Sequence, residues 1–412
     1  MNLRVSVFIA TILFASVAVN ADESNIKITP SGFAYYQIGQ IEKQTPEDAL
    51  LKKAFDQHFN GRFTLEAEIN QHLRVIVGAE AELGANLNDN GQKKTFFLKE
   101  AQGIYSFGDP SFLAMQIASG YFPFKYNPEA RNLGEYLYRT GTYPGYVVSD
   151  FDNPKARLMG FRVSGTFMEN IKLDALFTSE YTVHPYYDYS LSFVGGYKPP
   201  INNIIDIGAG IDFDRILPIM PERTTNPTNV VRDTANNPVI ENGDTLKFTF
   251  KGTKLMGRVT FDFKPLLPFA EIFGPDDGKI YGEIAVLGLK NYGATYDAIS
   301  KRIPIMFGFN IPCFNYVDVI SFETEYYGSD TTQSLDIPTS DNPVPDMWTF
   351  GKRTPWKWSF FAQKTIVKGW AIKGLIGRDH YRSVNAGGNY DEKERMNSPG
   401  DWHYKLRIMY SF

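Results

Sequence analysis

The segment at the C-terminal end constrains the fold more than any other feature of the chain. Residues 401–412 read DWHYKLRIMYSF, in which large apolar or aromatic side chains alternate with mostly polar ones. In a β-strand, alternation of this kind places the two sets on opposite faces. The pattern predicts the closing strand of a membrane-spanning barrel, with aromatic residues toward lipid and polar residues toward a wet lumen. An amphipathic strand of a soluble sandwich is the alternative.

The last residues of this strand also carry a resemblance. A terminal aromatic residue after an alternating strand resembles the signal by which bacterial outer-membrane proteins are recognised by the barrel-assembly machinery. The resemblance implies that Tyr410 and Phe412 form the assembly signal. It further implies that outer-membrane lipid and the assembly machinery are partners, and that the protein lies in the outer membrane of a Gram-negative-type envelope.

The N-terminal residues 1–21 resemble a secretory signal peptide. Arg4 precedes an apolar run of about fifteen residues, and small or apolar residues at Val19 and Ala21 predict cleavage after Ala21. A retained membrane anchor is the alternative, but the run is shorter than the roughly twenty residues that span a bilayer. Residues 22–412 are then expected to form one barrel domain.

The composition fits an exported membrane barrel. The chain has 32 Phe and 24 Tyr, yet its mean hydropathy is −0.27, as expected when apolar and polar residues alternate along strands with aromatic girdles. A single cysteine excludes a disulfide framework. The net charge of −4 is too small to indicate a nucleic-acid partner.

Alternating segments recur along the whole chain, each about nine to twelve residues long, as a tilted membrane-crossing strand requires. In one predicted hairpin, a turn near His72 would place Arg62 close to Glu82 on the neighbouring strand. About sixteen strands are predicted, within a range of fourteen to eighteen, beginning near residues 32, 61, 73, 96, 111, 157, 171, 188, 204, 247, 279, 302, 317, 357, 370 and 402.

The links between these segments mostly alternate between short and long. This rhythm is typical of an all-β, antiparallel, up-and-down transmembrane barrel with short periplasmic turns and long external loops. Lys264 to Gly278 is the exception, because it is longer than a short turn; it predicts either a helical turn or a miscounted strand. The long links are predicted at residues 41–60, 84–95, 123–156, 214–246, 290–301, 328–356 and 381–401.

The link at about 123–156 follows the fifth predicted strand. That order resembles the general porins, in which the loop after the fifth strand folds inward and narrows the pore. The resemblance implies a passive diffusion channel for ions and small polar solutes, with a homotrimer as a possible assembly. Constriction residues would then come from the charged and aromatic side chains of the loop: Lys125, Glu129, Arg131, Glu135, Tyr136, Tyr138, Arg139 and Tyr143.

Two alternative functions remain open at this point. In a substrate-selective channel for saccharides or another nutrient, loop tyrosines would stack on the solute, and the solute would block the current saturably. In a closed structural or adhesive barrel, the long external loops would bind partners and conductance would be negligible.

Charged residues of both signs fall on the predicted lumenal faces. Such charges set a field across a pore, although they can also simply pair with one another and hydrate the lumen. The start of the loop faintly resembles phosphate-selective porins. Those porins depend on a lumen rich in lysine and arginine, whereas the predicted lumen here carries charges of both signs, which argues against phosphate specificity. The predicted pore-lining residues are Arg62, Glu66, Glu68, Arg74, Glu80, Glu82, Arg162, Asp212, Arg258, Lys405 and Arg407.

Catalytic and metal-binding patterns are not evident. The five histidines are scattered, without metal-ligand spacing, and no phosphate-binding loop occurs in a strand–loop–helix context. The sequence therefore predicts neither an enzyme nor a bound metal or cofactor.

Overall fold

The computed structural model describes residues 26–43, 55–85, 92–139, 156–180, 188–200, 204–219, 237–245, 251–289, 298–328, 354–379, 396 and 398–412. Sixteen strands pair in antiparallel fashion into one closed barrel, which confirms the predicted fold and strand number. The strands are β1 (Lys27–Lys43), β2 (Phe55–Glu68), β3 (Leu73–Ala85), β4 (Gln92–Asp109), β5 (Leu113–Phe124), β6 (Ala156–Phe167), β7 (Ile171–Glu180), β8 (Tyr189–Tyr197), β9 (Ile205–Leu217), β10 (Gly252–Asp262), β11 (Lys279–Leu287), β12 (Ile305–Ile311), β13 (Val319–Tyr326), β14 (Trp356–Val367), β15 (Trp370–Arg378) and β16 (Trp402–Ser411).

Barrel closure is made by the first and last strands. β1 pairs with β16 from Phe33 opposite Ser411 to Ile41 opposite His403. Each remaining barrel strand pairs with its sequence neighbours, so the order is up-and-down throughout. Closure satisfies the backbone donors and acceptors of both edge strands, which an open sheet would leave exposed.

The two faces of β16 behave as the alternation predicts. Leu406, Ile408 and Tyr410 are exposed on the outer surface, whereas His403 and Arg407 are buried toward the interior. The same outward exposure of large apolar residues recurs on other strands, among them Phe63 of β2 and Phe307 of β12. An apolar outside and a polar inside is the arrangement that a bilayer requires of a barrel.

The hairpin between β2 and β3 turns one residue earlier than predicted. Arg62 lies opposite Glu80, and Glu82 lies opposite Asn60. The side chain of Asn70 fixes this turn, because its Oδ1 accepts the backbone N–H groups of residues 72 and 73 at 2.8 and 2.9 Å. The prediction that Arg62 lies opposite Glu82 is therefore wrong: its partner on β3 is Glu80, two residues earlier on the same face.

Several links contain structure of their own. The segment Lys264 to Gly278 holds two short 3-10 helices, Lys264–Leu266 and Ala270–Ile272, so the helical turn predicted there is confirmed. A third 3-10 helix covers Ile299–Arg302, and a two-residue ribbon pairs Ile240–Glu241 with Asp244–Thr245. Within the described ranges, no helix has the length and apolar character needed to cross a membrane.

The predicted signal peptide lies outside the described residues, as does part of each predicted long link. At the first long link, the strands run further than predicted. β1 continues to Lys43 and β2 begins at Phe55, inside the link predicted at 41–60.

Candidate functional site

The link after β5 folds into the barrel. Its described part, residues 125–139, is called the lumenal loop here and ends in a one-turn helix, α1 (Tyr136–Arg139). The Tyr126 hydroxyl donates to Glu283 on β11 at 2.6 Å, and the Arg131 N–H donates to Glu323 on β13 at 2.6 Å. In the strand order around the barrel, β11 and β13 lie opposite β5, so these contacts show that the loop crosses the lumen.

Glu283 is the acceptor for one part of the lumenal loop. Its two carboxylate oxygens accept hydrogen bonds from Tyr126 Oη at 2.6 Å, Asn127 Nδ2 at 2.9 Å, and the backbone N–H groups of Glu135 and Tyr136, both at 2.9 Å. Gly134 and Glu135 have φ angles of +79° and +60°, and consecutive residues of this kind turn successive N–H groups toward one side. Such a concave set of donors is a natural partner for an anion.

Two further glutamates on β13 hold the rest of the loop. Glu323 accepts the backbone N–H groups of residues 131, 132 and 133 at 2.6, 2.8 and 2.9 Å. Glu325 accepts the N–H of Gly134 at 3.2 Å and the hydroxyl of Tyr136 at 3.0 Å. All three carboxylates are almost fully buried. We call Glu283, Glu323 and Glu325 the glutamate latch.

Apolar packing completes the attachment of the loop to the wall. Leu133 and Leu137 are fully buried and belong to one cluster with Val194, Met256 and Met306 of the barrel. The ring of Tyr138 packs edge-on against Phe124, with centroids 5.4 Å apart. Lys254 of β10 donates to the backbone carbonyl of Leu137 at the helical turn. The loop is therefore part of the packed interior.

At the short-turn end of the barrel, the loop joins a network of ion pairs. Lys279 pairs with Glu129 at 2.9 Å and with Asp276 at 3.1 Å, and Arg131 pairs with Asp276 at 3.1 Å. We call these four residues the rim network. Burial raises the pKa of Asp276, but the nearby positive charges of Arg131 and Lys279 outweigh burial, so that its pKa lies below the ordinary value.

The predicted constriction residues fall into three groups. Lys125, Glu129 and Arg131 are half-buried. Glu135, Tyr136 and Tyr138 are buried, and Glu135 accepts the N–H of Tyr126 within the loop at 3.1 Å. Of Arg139 only the backbone is described, and Tyr143 lies outside the described residues.

The buried tyrosines of the loop contribute hydrogen bonds to the latch. Burial, followed by the negative charges of Glu283 and Glu135, raises the pKa of Tyr126 well above its ordinary value. Burial and the charge of Glu325 do the same to the pKa of Tyr136. Both hydroxyls are thus protonated donors, and their rings are packed inside the loop.

The wall formed by β2, β3 and β4 carries paired charges. Arg62 pairs with Glu100 at 3.0 Å, and Glu80 pairs with Lys99 at 3.2 Å. The register of β3 and β4 shifts beside Lys99, which opposes no residue of β3. This bulge aims both Lys99 and Glu100 at the interior, and a strictly alternating pattern does not reveal it. Arg74 pairs with Glu66 at 3.0 Å.

The other predicted pore-lining residues also have partners or neighbours. Their contacts are Asp212 with Lys254 at 3.1 Å, Arg258 with Asp206 at 3.0 Å, Glu68 with Lys27 at 3.4 Å, Arg407 with Gln37 at 2.8 Å and with the Tyr35 ring at 3.7 Å, and Arg162 with the Phe122 ring at 5.5 Å. Glu82 and Lys405 are half-buried. Pairing of opposite charges across neighbouring strands keeps the wall polar without giving it one dominant sign.

The closed barrel of sixteen strands, apolar outside and charged inside, defines a membrane-spanning barrel wide enough to enclose an aqueous lumen. No protein-family model matches the chain, and no curated protein matches it.

Solved structures with a similar fold include mutants of the Rhodopseudomonas blastica porin. One triple mutant has a TM-score of 0.45 at 6% identity, and a second triple mutant has 0.44 at 6%. A mutant with four alanine replacements has a TM-score of 0.45 at 8% identity. Each comparison covers 94% of this chain and 100% of the other. The fold assignment itself stands on the strand pairing described above.

Proposed function

We propose that this protein is a porin-type channel of a bacterial outer membrane, through which ions and small polar solutes pass by diffusion. The observation that carries the proposal is the lumenal loop, which crosses a sixteen-strand barrel and is held there by the glutamate latch. A barrel of this size leaves an aqueous interior. In this proposal the inserted loop narrows that interior without filling it.

The route for solutes runs between the lumenal loop and the wall of charged pairs on β2 to β4. Lys125, Glu129 and Arg131 are the loop charges that set the narrowest part in this proposal. Glu135, Tyr136 and Tyr138 position the loop, since they are buried. Because the wall carries both signs, the channel is expected to discriminate weakly between anions and cations.

Export and assembly belong to the same proposal. Residues 1–21 direct the chain across the inner membrane, and Tyr410 and Phe412 are recognised by the barrel-assembly machinery. The mature chain then assembles as a homotrimer in the outer membrane. No chemical reaction is part of the proposed function.

Liposome swelling tests this function. The refolded mature protein is placed in vesicles, and swelling is followed in iso-osmotic solutions of neutral sugars of increasing size. The proposal expects swelling rates that fall smoothly with sugar size. Vesicles that hold a folded barrel yet do not swell with the smallest sugar would contradict it and favour a closed barrel that binds partners through external loops.

A further inference from the structure

The segment between β10 and β11 differs from the other short-turn links by its length and composition. It comprises residues 263–278, which we call the rim insert. It contains the prolines at positions 265, 268 and 275 and the two 3-10 helices Lys264–Leu266 and Ala270–Ile272. Proline fixes φ, so the insert is a stiff structure at the barrel rim and not a loose turn.

The rim insert exposes apolar side chains at every third position. Leu266, Phe269 and Ile272 are 59%, 46% and 43% exposed. Leu266 ends the first 3-10 helix, Ile272 ends the second, and Phe269 lies between the two helices. We call these three exposed side chains the apolar face of the insert, in a link that the up-and-down plan would leave short and polar.

The neighbouring turn between β12 and β13 supports this face. The ring of Phe273 stands 5.2 Å from that of Phe314 and 6.2 Å from that of Phe269. Phe314 is 47% exposed and has a φ of +52°, a conformation that bulky residues rarely adopt. Asp277 holds both segments together, since its Oδ2 accepts the N–H groups of Gly274 and Phe314, both at 2.9 Å.

The apolar face continues the outer surface of the barrel. Ile280 of β11 is exposed on that surface and lies opposite Phe309 of β12. Phe314 follows the same strand at the rim and leads to Phe273 of the insert. The row of outward apolar residues is thus prolonged past the strand ends, where the headgroup region of a bilayer would begin.

The opposite side of the rim insert reaches into the barrel. Its Asp276 pairs with Arg131 at the tip of the lumenal loop at 3.1 Å and with Lys279 at the start of β11 at 3.1 Å. One stiff segment therefore touches the lumenal loop on one side and presents an apolar face on the other.

We propose that the rim insert is a membrane-interface anchor for the lumenal loop. Its apolar face lies in the headgroup region of the periplasmic leaflet, and Asp276 holds the loop tip from that fixed position. A lipid surface is the occupant that the continuity with the barrel's outer surface favours, because aromatic and aliphatic side chains of this kind settle at membrane interfaces. The inference rests on the proposed function in two ways: the position of the apolar face requires a membrane-spanning barrel, and the current readout of the loop requires an open pore.

Spin labelling tests the position of the apolar face. Phe269→Cys and Glu271→Cys, each in a Cys313→Ser background, are labelled in the refolded mature protein and reconstituted in vesicles of phosphatidylethanolamine and phosphatidylglycerol. Accessibility to oxygen, which enters lipid, is compared with accessibility to a water-soluble nickel chelate. The label at position 269 is expected to favour oxygen, and the label at position 271 to favour nickel.

Two outcomes would overturn the inference. A label at position 269 that nickel reaches as readily as at position 271 would place the face in water. A label shielded from both reagents would mean that a second protein copy covers it. A Val259→Cys label on the outer surface of β10 serves as the reference. If oxygen does not reach that label, the barrel does not span the membrane, and the result contradicts the proposed function and not only the anchor.

The link from anchor to loop has its own readout. Phe269→Ser is expected to increase fluctuations of the single-channel current, because the rim insert, and with it the tip of the lumenal loop held by Asp276, moves more freely. Glu271→Ser is expected to leave the fluctuations unchanged. Equal fluctuations in the two variants would overturn the anchoring of the loop.

Discussion

Glu283 shows how much of the site depends on single buried charges. Its carboxylate is almost fully buried, and burial of a charge is unfavourable unless hydrogen bonds compensate for it. Four donors of the lumenal loop provide that compensation. The side chain and the loop thus stabilise each other, because either one alone would leave buried polar groups unpaired.

Replacing the charge at this position should loosen the loop. Glu283→Gln keeps the size but removes the negative charge, and hydrogen bonds to a charged group contribute roughly 1.5–3 kcal/mol each, more than neutral ones. We expect lower thermal stability and larger fluctuations of the single-channel current. Glu66→Gln is the matched control, since Glu66 pairs with Arg74 on the wall of β2 and β3. Equal behaviour of the two variants would show that the latch does not hold the loop.

Acid should release the rim network. The pKa of Asp276 lies below its ordinary value because of Arg131 and Lys279. A carboxyl group with a lowered folded-state pKa stabilises the fold above its unfolded pKa, and this contribution is lost as the pH falls through the folded value. Current fluctuations should therefore stay constant from neutral pH to about pH 5 and increase only below about pH 4.

The matched variant is Asp276→Asn, which lacks the titrating group. It should show the larger fluctuations already at neutral pH. A transition of the unmodified protein near neutral pH, or one that persists in Asp276→Asn, would assign the response to another group.

At the scale of elements, alternation of apolar and polar residues predicts the positions of the strands but not the contacts of the lumenal loop. Period-two patterning predicts all sixteen strands, because a barrel between lipid and water imposes that pattern on every strand. β1 begins at Lys27 and not near residue 32, since Pro30 and Ser31 interrupt the pattern. The ribbon around Asn242-Gly243 is not among the predicted strands, although this dipeptide is typical of a tight hairpin.

The partners of the lumenal loop could not be predicted in the same way. Glu323 and Glu325 are about 190 positions from the backbone groups they hold. Alternation assigns such acids to the inner face but contains no information on which of them meets a distant loop. The burial of Tyr136 results from the same contacts, so the sequence pattern does not predict it either.

Gly134 tests the geometry of the loop as an element. With a φ of +79°, it would place an added Cβ 2.7 Å from Met306 Cε and 3.2 Å from Glu283 Oε2. Gly134→Ala should therefore displace the turn and lower the free energy of unfolding by at least about 1 kcal/mol, as at other positions that need positive φ.

Gly374→Ala is the control on β15, because an added Cβ there meets nothing within 4 Å. It should leave both stability and current unchanged. If Gly134→Ala matched it in thermal unfolding, the loop turn would not be fixed as described.

At the scale of the whole molecule, Phe412 takes part in closing the barrel and belongs to the predicted assembly signal. Its backbone exchanges hydrogen bonds with Gly32 at 3.0 and 3.1 Å, which joins the last strand to the first. Its ring is 57% exposed and lies near Phe63 and Tyr410. Phe360 is also exposed on the outer surface, so loss of contact with lipid is common to replacements at both positions, and any additional effect at Phe412 should appear during insertion.

Phe412→Ser should reduce the amount of folded barrel in the outer membrane several-fold, while the purified variant still refolds in detergent. Phe360→Ser, at another outward aromatic position on β14, is the control and should assemble normally. Heat-dependent gel mobility of membrane fractions measures both. Normal assembly of Phe412→Ser would remove the C-terminal signal from the account.

The central claim is an open channel narrowed by an inward-folded loop, and single-channel recording of the refolded mature protein in a planar bilayer tests it most directly. With a salt gradient across the bilayer, we expect steady current steps and a reversal potential close to zero, because the lumen wall carries paired charges of both signs. A folded barrel that gives no current steps would contradict the account.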